Sequence, residues 1–455
     1  MTYDLAIIGG GPGGTRAAFE AAKRGMKTVL VEAGELGGTC LNAGCIPTKM
    51  FLGSTACVDL LATQKKYKTA EGDVRFSLQA LNTRKDRFVK ASRDTLGKQL
   101  AACGVTVLKG RASFCGPSSL TVALNDGGNE AVAFAACIVA TGSVPASFPG
   151  LAPDGNAILT STEMLGLDAV PEDLIIVGGG VIGLEIGDIY HRLGAHITVV
   201  EALSRIAATE DKEVSALLRK NHERNGWKIL TEKRVASLVS KDGKAFLTFE
   251  DGGTLTAAKA LVAVGRQYPT ASLGCDAASI ALEKRGNIKT DAFLQAANAI
   301  YAIGDVNGRT LLAHAAEHQA RYVVARLAGE TTAPYAYGAM PACIYGHMEV
   351  MRVGPTVEEL QNAGHAVSVS RAELVANPIV QSYGATQGFI KIAWVDGSIH
   401  SITAIGHGVS HLVTLAATIV TQKWNRKSVH TVIFAHPTLD EALESAMLAP
   451  QVVSA

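Results

Sequence analysis

Two stretches of this chain repeat one another. The first is a strand-like Leu5–Ile8 that runs into Gly9-x-Gly11-x-x-Gly14, a helical TRAAFEAAKRG, and a strand KTVLVE ending on Glu32. The second, LIIVGGGVIGLEIGDIYHRLGAHITVVE, carries Gly178-x-Gly180-x-x-Gly183 and ends on Glu201. In both copies the acid follows the first glycine by 23 positions, and the helix-ending glycine follows the third glycine by 11. A lone glycine turn constrains little. Strand, tight turn, helix, strand and acid in that order predict a βαβ unit, and incidental turns would not share both spacings.

Such a unit has a chemical use. Its glycines let the backbone approach a pyrophosphate at a helix N-terminus, and the acid at the second strand's end accepts from ribose hydroxyls. Glu201 therefore favours NAD over NADP, whose extra phosphate it would repel; the competing account is a solvated strand-end glutamate. Downstream, NAIYAIGDVNG places Asp305 at the end of a short apolar strand, where open α/β sheets bind ligands, although Gly-Asp is also a common turn.

Size and composition bound the rest. A chain of 455 residues, 48% hydrophobic and 18% charged, reads as a globular protein of two to four domains. A net charge of +1 makes no electrostatic case for nucleic acid or a membrane surface as partner. The opening MTYDLAIIGGGPGG has no basic leader and too short an apolar run for a signal peptide, so a cytoplasmic location is expected.

Of eight cysteines only Cys40 and Cys45, in GGTCLNAGCIPTK, are close neighbours. Positions five apart on a regular helix point about 140° away from each other. A disulfide needs Cα atoms within roughly 7 Å, so a redox pair requires a break between them. A metal site would need further ligands at matching spacing, and none is expected; a redox disulfide is the better reading, with metal-bound or inert thiols as alternatives. Lys49, four positions after Cys45, would share a helix face with it, where an ammonium favours the thiolate; otherwise it is a surface lysine. Near the end, HPTLDEALESA offers two readings. Thr438-x-x-Glu441 is a helix capping box, or Glu441 orients His436 as a base.

Taken together, IIGGGPGG, GGTCLNAGCIPTK, CIVATGSVP, GGGVIGLE, VAVGR, YAIGDV and HPTLDE resemble the FAD-dependent pyridine nucleotide–disulfide oxidoreductases, in the family's order and over nearly the whole chain. Within that family the dihydrolipoyl dehydrogenases are the most similar. The resemblance implies an α/β fold of two Rossmann-like dinucleotide-binding domains plus an α+β C-terminal dimerisation domain. It implies an FAD-binding domain over 1–148, an NAD-binding domain over 149–267, a second part of the FAD-binding domain over 268–333 and a dimerisation domain over 334–455, with Ala333–Pro341 as the last link. FAD would meet Gly9, Gly11, Gly14, Glu32, Lys49, Thr141, Gly142, Asp305 and Ala313. NAD would meet Gly178, Gly180, Gly183, Glu201 and Gly265.

The same resemblance makes Cys40 the thiol that exchanges with substrate and Cys45 the one facing the flavin. It pairs Lys49 with Glu185 beside the nicotinamide, and it brings His436, oriented by Glu441, to the cysteines of a second subunit. The implied reaction oxidises protein-bound dihydrolipoamide with NAD, in a homodimer serving a 2-oxoacid dehydrogenase or glycine cleavage complex. An NAD(P)H-dependent reductase of another disulfide is the alternative. Four departures fall in the C-terminal third. Phe434 stands for the first His of His-Ala-His-Pro, and GHME for Thr-His-Pro-Glu. GHGVSH replaces Gly-Pro-x-Ala-x-Glu, and NPIVQSYGA replaces the Asn-x-Arg-Ala region.

Overall fold

The strand Thr2–Ile8 buries Leu5, Ala6, Ile7 and Ile8, so it has no solvent face to offer. That is the position of a central strand in a parallel sheet covered on both sides. The computed structural model describes residues 2–336 and 338–454, so Tyr337, within the expected Ala333–Pro341 link, lies outside the described residues. The chain divides into two compact units.

The first unit comprises Met1–Thr48, Asn82–Ser147 and Gly265–Ala336. Thr2–Ile8 pairs in parallel with Thr28–Glu32 on one side and Asn129–Val139 on the other; Ile300–Ala302 extends the sheet. The long strands Thr106–Gly116 and Asn129–Val139 each begin or end in this sheet and otherwise join Ser119–Leu124 in an antiparallel meander. Alternation sorts the central strand's side chains. Leu5 and Ile7 pack on Ala17, Ala18 and Ala21 of the helix Pro12–Lys23 and on Val323 and Val324 of the helix Ala313–Leu327. Ala6 and Ile8 pack toward Phe114, Leu120 and Phe134 of the meander.

The second unit comprises Lys49–Leu81, Phe148–Val264 and Tyr337–Ala455. Its parallel sheet has the order Lys228–Leu230, His196–Val200, Asp173–Val177, Lys259–Val262, Ile158–Leu159. Leu174 and Ile176 face Leu184 and Ile189 of the helix Val181–Arg192, while Ile175 and Val177 face Leu238, Leu247 and Phe249 of a three-stranded antiparallel sheet. The duplication read from the glycine spacing thus extends to the layers: helices on one face, three antiparallel strands on the other.

The rest of the second unit is a six-stranded antiparallel sheet, Pro341–Ile344 through Val452–Val453, with the helices Val413–Thr421 and Asp440–Leu448 on one face. Every residue of its strand Gly388–Val395 is buried, because the other face contributes Phe389 and Ile405 to the core built around Leu184 and Ile189. Inside that strand, Lys391 Nζ meets Asp211 Oδ2 at 2.6 Å and Glu213 Oε1 at 2.7 Å. Burying an ammonium without such partners would cost several kcal/mol, on the order of the penalty for any unpaired buried ion.

Candidate active site

The glycine turns are the same object built twice. Gly9 N–H donates to Val31 O and Gly178 N–H to Val200 O, each at 2.8 Å. A Cβ on Gly14 would lie 1.8 Å from Gly9 O, and one on Gly183 would lie 2.2 Å from Gly178 O. Only glycine lets helix and strand approach this closely, which explains the third glycine of each motif. Each strand-end acid also clamps its turn. Glu32 accepts from Gly10 N–H and Gly34 N–H, both at 2.6 Å; Glu201 accepts from Gly179 N–H at 2.7 Å and Leu203 N–H at 2.8 Å. Sequence reasoning reserved these carboxylates for ribose and missed that they organise the loop.

The cysteine segment is docked on the first turn through Gly37 N–H, which donates to Gly10 O at 2.8 Å. Cys40 is half-buried in the short helix Gly38–Ala43, Cys45 is exposed at the start of the helix Cys45–Thr55, and Gly44 between them has φ −143° and ψ −114°. The required break in regular helix is therefore present. Asn42, between the cysteines, folds back so that its Nδ2 donates to Gly38 O at 2.9 Å and Leu36 O at 3.0 Å.

Also in the first unit, Asp305 accepts from the Ser143 hydroxyl, and Arg266 donates to Ser143 Oγ at 2.5 Å and Ser143 O at 2.6 Å. Arg266 Nε lies 3.8 Å from Asp305 Oδ2. Burial pulls the guanidinium below its usual range, while Asp305 and Cys45 act in the opposite sense. Ser143 and Arg266 were not among the expected site residues, though both sit in quoted motifs, VATGS and VAVGR. Thr141 Oγ1, just before them, is buried without a hydrogen-bond partner among the described residues. Gly142 has φ +69°, and Ala313 opens the helix Ala313–Leu327.

In the second unit, Lys49 and Glu185 meet across 136 positions of sequence, Nζ to Oε2 at 2.6 Å. Glu185 is almost fully buried and accepts Tyr345 N–H at 3.0 Å, while Lys49 Nζ stands 4.6 Å from the Tyr345 ring centroid. Burial raises the Glu185 carboxyl above its ordinary range, and Lys49 and the Tyr345 amide oppose that rise. Tyr345 too was missed, since no local pattern announces a backbone donor from so far along the chain. Lys49 and Cys45 lie one turn apart on a single helix, as their spacing predicts.

At the C-terminal end both readings of Glu441 hold in part. Its Oε1 meets His436 Nδ1 at 2.8 Å and its Oε2 accepts Thr438 N–H at 2.8 Å. The capping box is incomplete, because the Thr438 hydroxyl donates to Ala435 O and the helix opens at Asp440. The Thr438 amide first, and His436 second, hold the Glu441 carboxyl below its usual value. His436 is largely exposed, its ring fixed on one side and open on the other.

Residues 3–320 match the pyridine nucleotide-disulphide oxidoreductase family, and residues 340–447 match that family's dimerisation domain. The chain belongs to this family of disulfide oxidoreductases. It is 36% identical to the dihydrolipoyl dehydrogenase of Chlorobaculum tepidum over 98% of this chain and 96% of that one. It is 35% identical to the mitochondrial dihydrolipoyl dehydrogenase of Dictyostelium discoideum, over 98% and 93%. Among solved structures it resembles LpdA from Mycobacterium tuberculosis (TM-score 0.91, 26% identity, 97% and 98% coverage). It also resembles the HOCl-induced flavoprotein disulfide reductase RclA from Escherichia coli (TM-score 0.87, 25% identity, 98% and 99% coverage).

Pyridine nucleotide-disulphide oxidoreductases are flavoproteins that use FAD and NAD, and this chain's residues fit both groups. The N-termini of both glycine helices carry no side-chain cap among the described residues, so their amides face the turns ready for a pyrophosphate. The buried, unpartnered Thr141 hydroxyl in the first unit is a further polar group awaiting a ligand. The family's dimerisation domain supports a homodimer.

Proposed function

We propose that this chain oxidises protein-bound dihydrolipoamide to lipoamide with reduction of NAD. The observation that carries this reading is the pair Cys40 and Cys45 on either side of the Gly44 break, in a chain aligned over 98% of its length with dihydrolipoyl dehydrogenases. FAD is assigned to Gly9, Gly11, Gly14, Glu32, Lys49, Thr141, Gly142, Asp305 and Ala313, and NAD to Gly178, Gly180, Gly183, Glu201 and Gly265. The domain limits follow the sequence: 1–148 with 268–333 for FAD, 149–267 for NAD, 334–455 for dimerisation. The partner is a lipoyl-bearing protein of a 2-oxoacid dehydrogenase or glycine cleavage complex, in the cytoplasm.

In the proposed cycle a substrate thiolate attacks Cys40 Sγ and breaks the Cys40–Cys45 bond, leaving Cys45 as thiolate. The second substrate sulfur then displaces Cys40 from the mixed disulfide, so that lipoyl disulfide departs and both cysteines are reduced by two electrons. His436, held at Nδ1 by Glu441, takes the substrate proton at its open ring nitrogen, from the partner subunit. Lys49 stabilises negative charge beside Cys45, and Glu185 holds Lys49 in place. FAD, held by the residues named above, would supply the two-electron carrier between the Cys45 side of the pair and NAD.

An anaerobic titration with dihydrolipoamide, followed by NAD, tests the reading. Flavin bleaching with the first and NADH formation with the second are expected, and both should vanish in Cys40→Ser. A flavin that NADH bleaches but dihydrolipoamide does not would sink the substrate assignment and point to a different disulfide.

A further inference from the structure

One departure from the family pattern, GHME for Thr-His-Pro-Glu, acquires a reason in the second unit. The turn Tyr345–Gly346–His347 lies on two carboxylates of the helix Val181–Arg192, one helical turn apart. Glu185 accepts Tyr345 N–H at 3.0 Å, and Asp188 accepts His347 N–H at 2.5 Å. Gly346, between them, has φ +151°, and a Cβ there would sit 2.0 Å from Asp188 Oδ2. The carboxylate of Asp188 occupies the space a threonine side chain would need, so Gly346 and Asp188 are one paired feature of this chain.

The ring of His347 joins a charge cluster in which it and Asp59 are half-buried while Asp188, Arg192 and His222 are buried. Its Nδ1 is ion-paired with Asp59 Oδ1 at 3.1 Å, without hydrogen-bond alignment. The other Asp59 oxygen meets Arg192 Nη2 at 2.5 Å, and Arg192 Nη1 donates to Leu52 O at 3.2 Å. The other Asp188 oxygen lies 3.9 Å from His222 Nδ1, and His222 stacks on Trp227 with 4.1 Å between centroids. His191 packs edge-on against the same indole. The titratable and charged groups facing His347 are thus Asp59, Asp188, Arg192, His191 and His222.

Charge balance assigns their states. Burial keeps His191 and His222 below the ordinary imidazole range, and so neutral at neutral pH. Asp59, Asp188 and Glu185 then face Arg192 and Lys49, which leaves the cluster one negative charge in excess unless His347 is an imidazolium. Loss of the His347 proton removes the charge that pairs with Asp59 and so loosens the turn Tyr345–Gly346–His347, whose Tyr345 amide helps hold the desolvated Glu185 carboxylate. Glu185 would then hold Lys49 less firmly.

We propose that His347 is a positioning residue for the Lys49–Glu185 pair: as an imidazolium on Asp59 it holds the turn whose Tyr345 amide orients Glu185, and its deprotonation releases that pair. The link through the turn stands on its own; its catalytic consequence rests on the role proposed above for Lys49 and Glu185.

The test uses the FAD-loaded protein, with NADH rather than dihydrolipoamide as reductant, so failure of the substrate assignment leaves it intact. Two quantities are measured against pH: the His347 imidazole resonance, with isotope-labelled histidine, and the rate of flavin reduction. In the wild type the resonance should titrate above the ordinary imidazole value of about 6.5, and the rate should fall as pH rises through that titration. His347→Gln should lose this limb and run about tenfold slower on its low-pH side, the rate change that removing one hydrogen-bond-sized contact gives. His347→Lys, permanently charged over the range, should restore the rate and carry it to higher pH. Asp59→Asn should move both limb and resonance to lower pH, and it serves should His347→Gln fail to fold. A Gln or Asn variant with full flavin content and the wild-type pH profile would overturn the proposal, as would a His347 resonance titrating at or below the ordinary value.

Discussion

The two glycine helices begin identically and end differently. Pro12–Lys23 and Val181–Arg192 are both 12 residues long, both follow a glycine turn clamped by a strand-end glutamate, and both pack onto a parallel sheet. The buried face of the first is Gly13, Gly14, Thr15, Ala17, Ala18 and Ala21. The buried face of the second includes Glu185, Asp188 and Arg192. Most charges of the first helix gather at its C-terminal end, where Arg24, the cap residue, pairs with Glu20 and Glu330. The motif therefore specifies a cradle for a nucleotide, and the helix face that follows it decides whether the unit also supplies chemistry.

The largest effect should come from the shared turn. Gly14→Ala and Gly183→Ala each drive a methyl into a backbone carbonyl, at a cost of about 3 kcal/mol or more. Gly14→Ala should lose flavin and unfold at lower temperature, whereas Gly183→Ala should keep flavin, by absorbance, and lose its reduction by NADH. Equal flavin loss in both would break the comparison, since it would mean that the cradles are not independent.

A smaller effect separates the helix faces. Lys49→Met leaves the buried Glu185 carboxylate without its cation, so the folded state would retain a proton there that the unfolded chain releases above about pH 4.3. With more protons bound in the folded state, stability should fall as pH rises, by up to about 1.4 kcal/mol per pH unit. Thermal unfolding at several pH values reads this; a difference from the wild type that does not change with pH would place Glu185 in a wetter setting than its burial indicates. Least affected should be Arg24→Ala, at the cap of the first helix, with Tm moving by no more than about 2 °C, because ion pairs near the surface contribute little. A larger drop would show that the first helix also depends on its charges.

Much of this was legible in residue order. Glycine spacing and the acid 23 positions later reported both cradles, because a tight turn, a helix and a strand are local objects whose sizes are set by backbone geometry. The five-position cysteine spacing required a helix break, and Gly44 provides it. His436 and Glu441 were paired by a resemblance, yet the division of Glu441 between a ring nitrogen and the Thr438 amide was not foreseeable, because two local patterns competed for one carboxylate.

What sequence determined by itself was the duplicated α/β architecture and the candidates for the reactive groups. Only the tertiary structure decided which charges are buried and who holds them: Glu185 by Lys49 and the Tyr345 amide, Asp188 in the space that Gly346 leaves open, His347 against Asp59. These contacts join residues more than a hundred positions apart. Local periodicity carries no information about such partners, while desolvation at the point where they meet sets their protonation and therefore their chemistry.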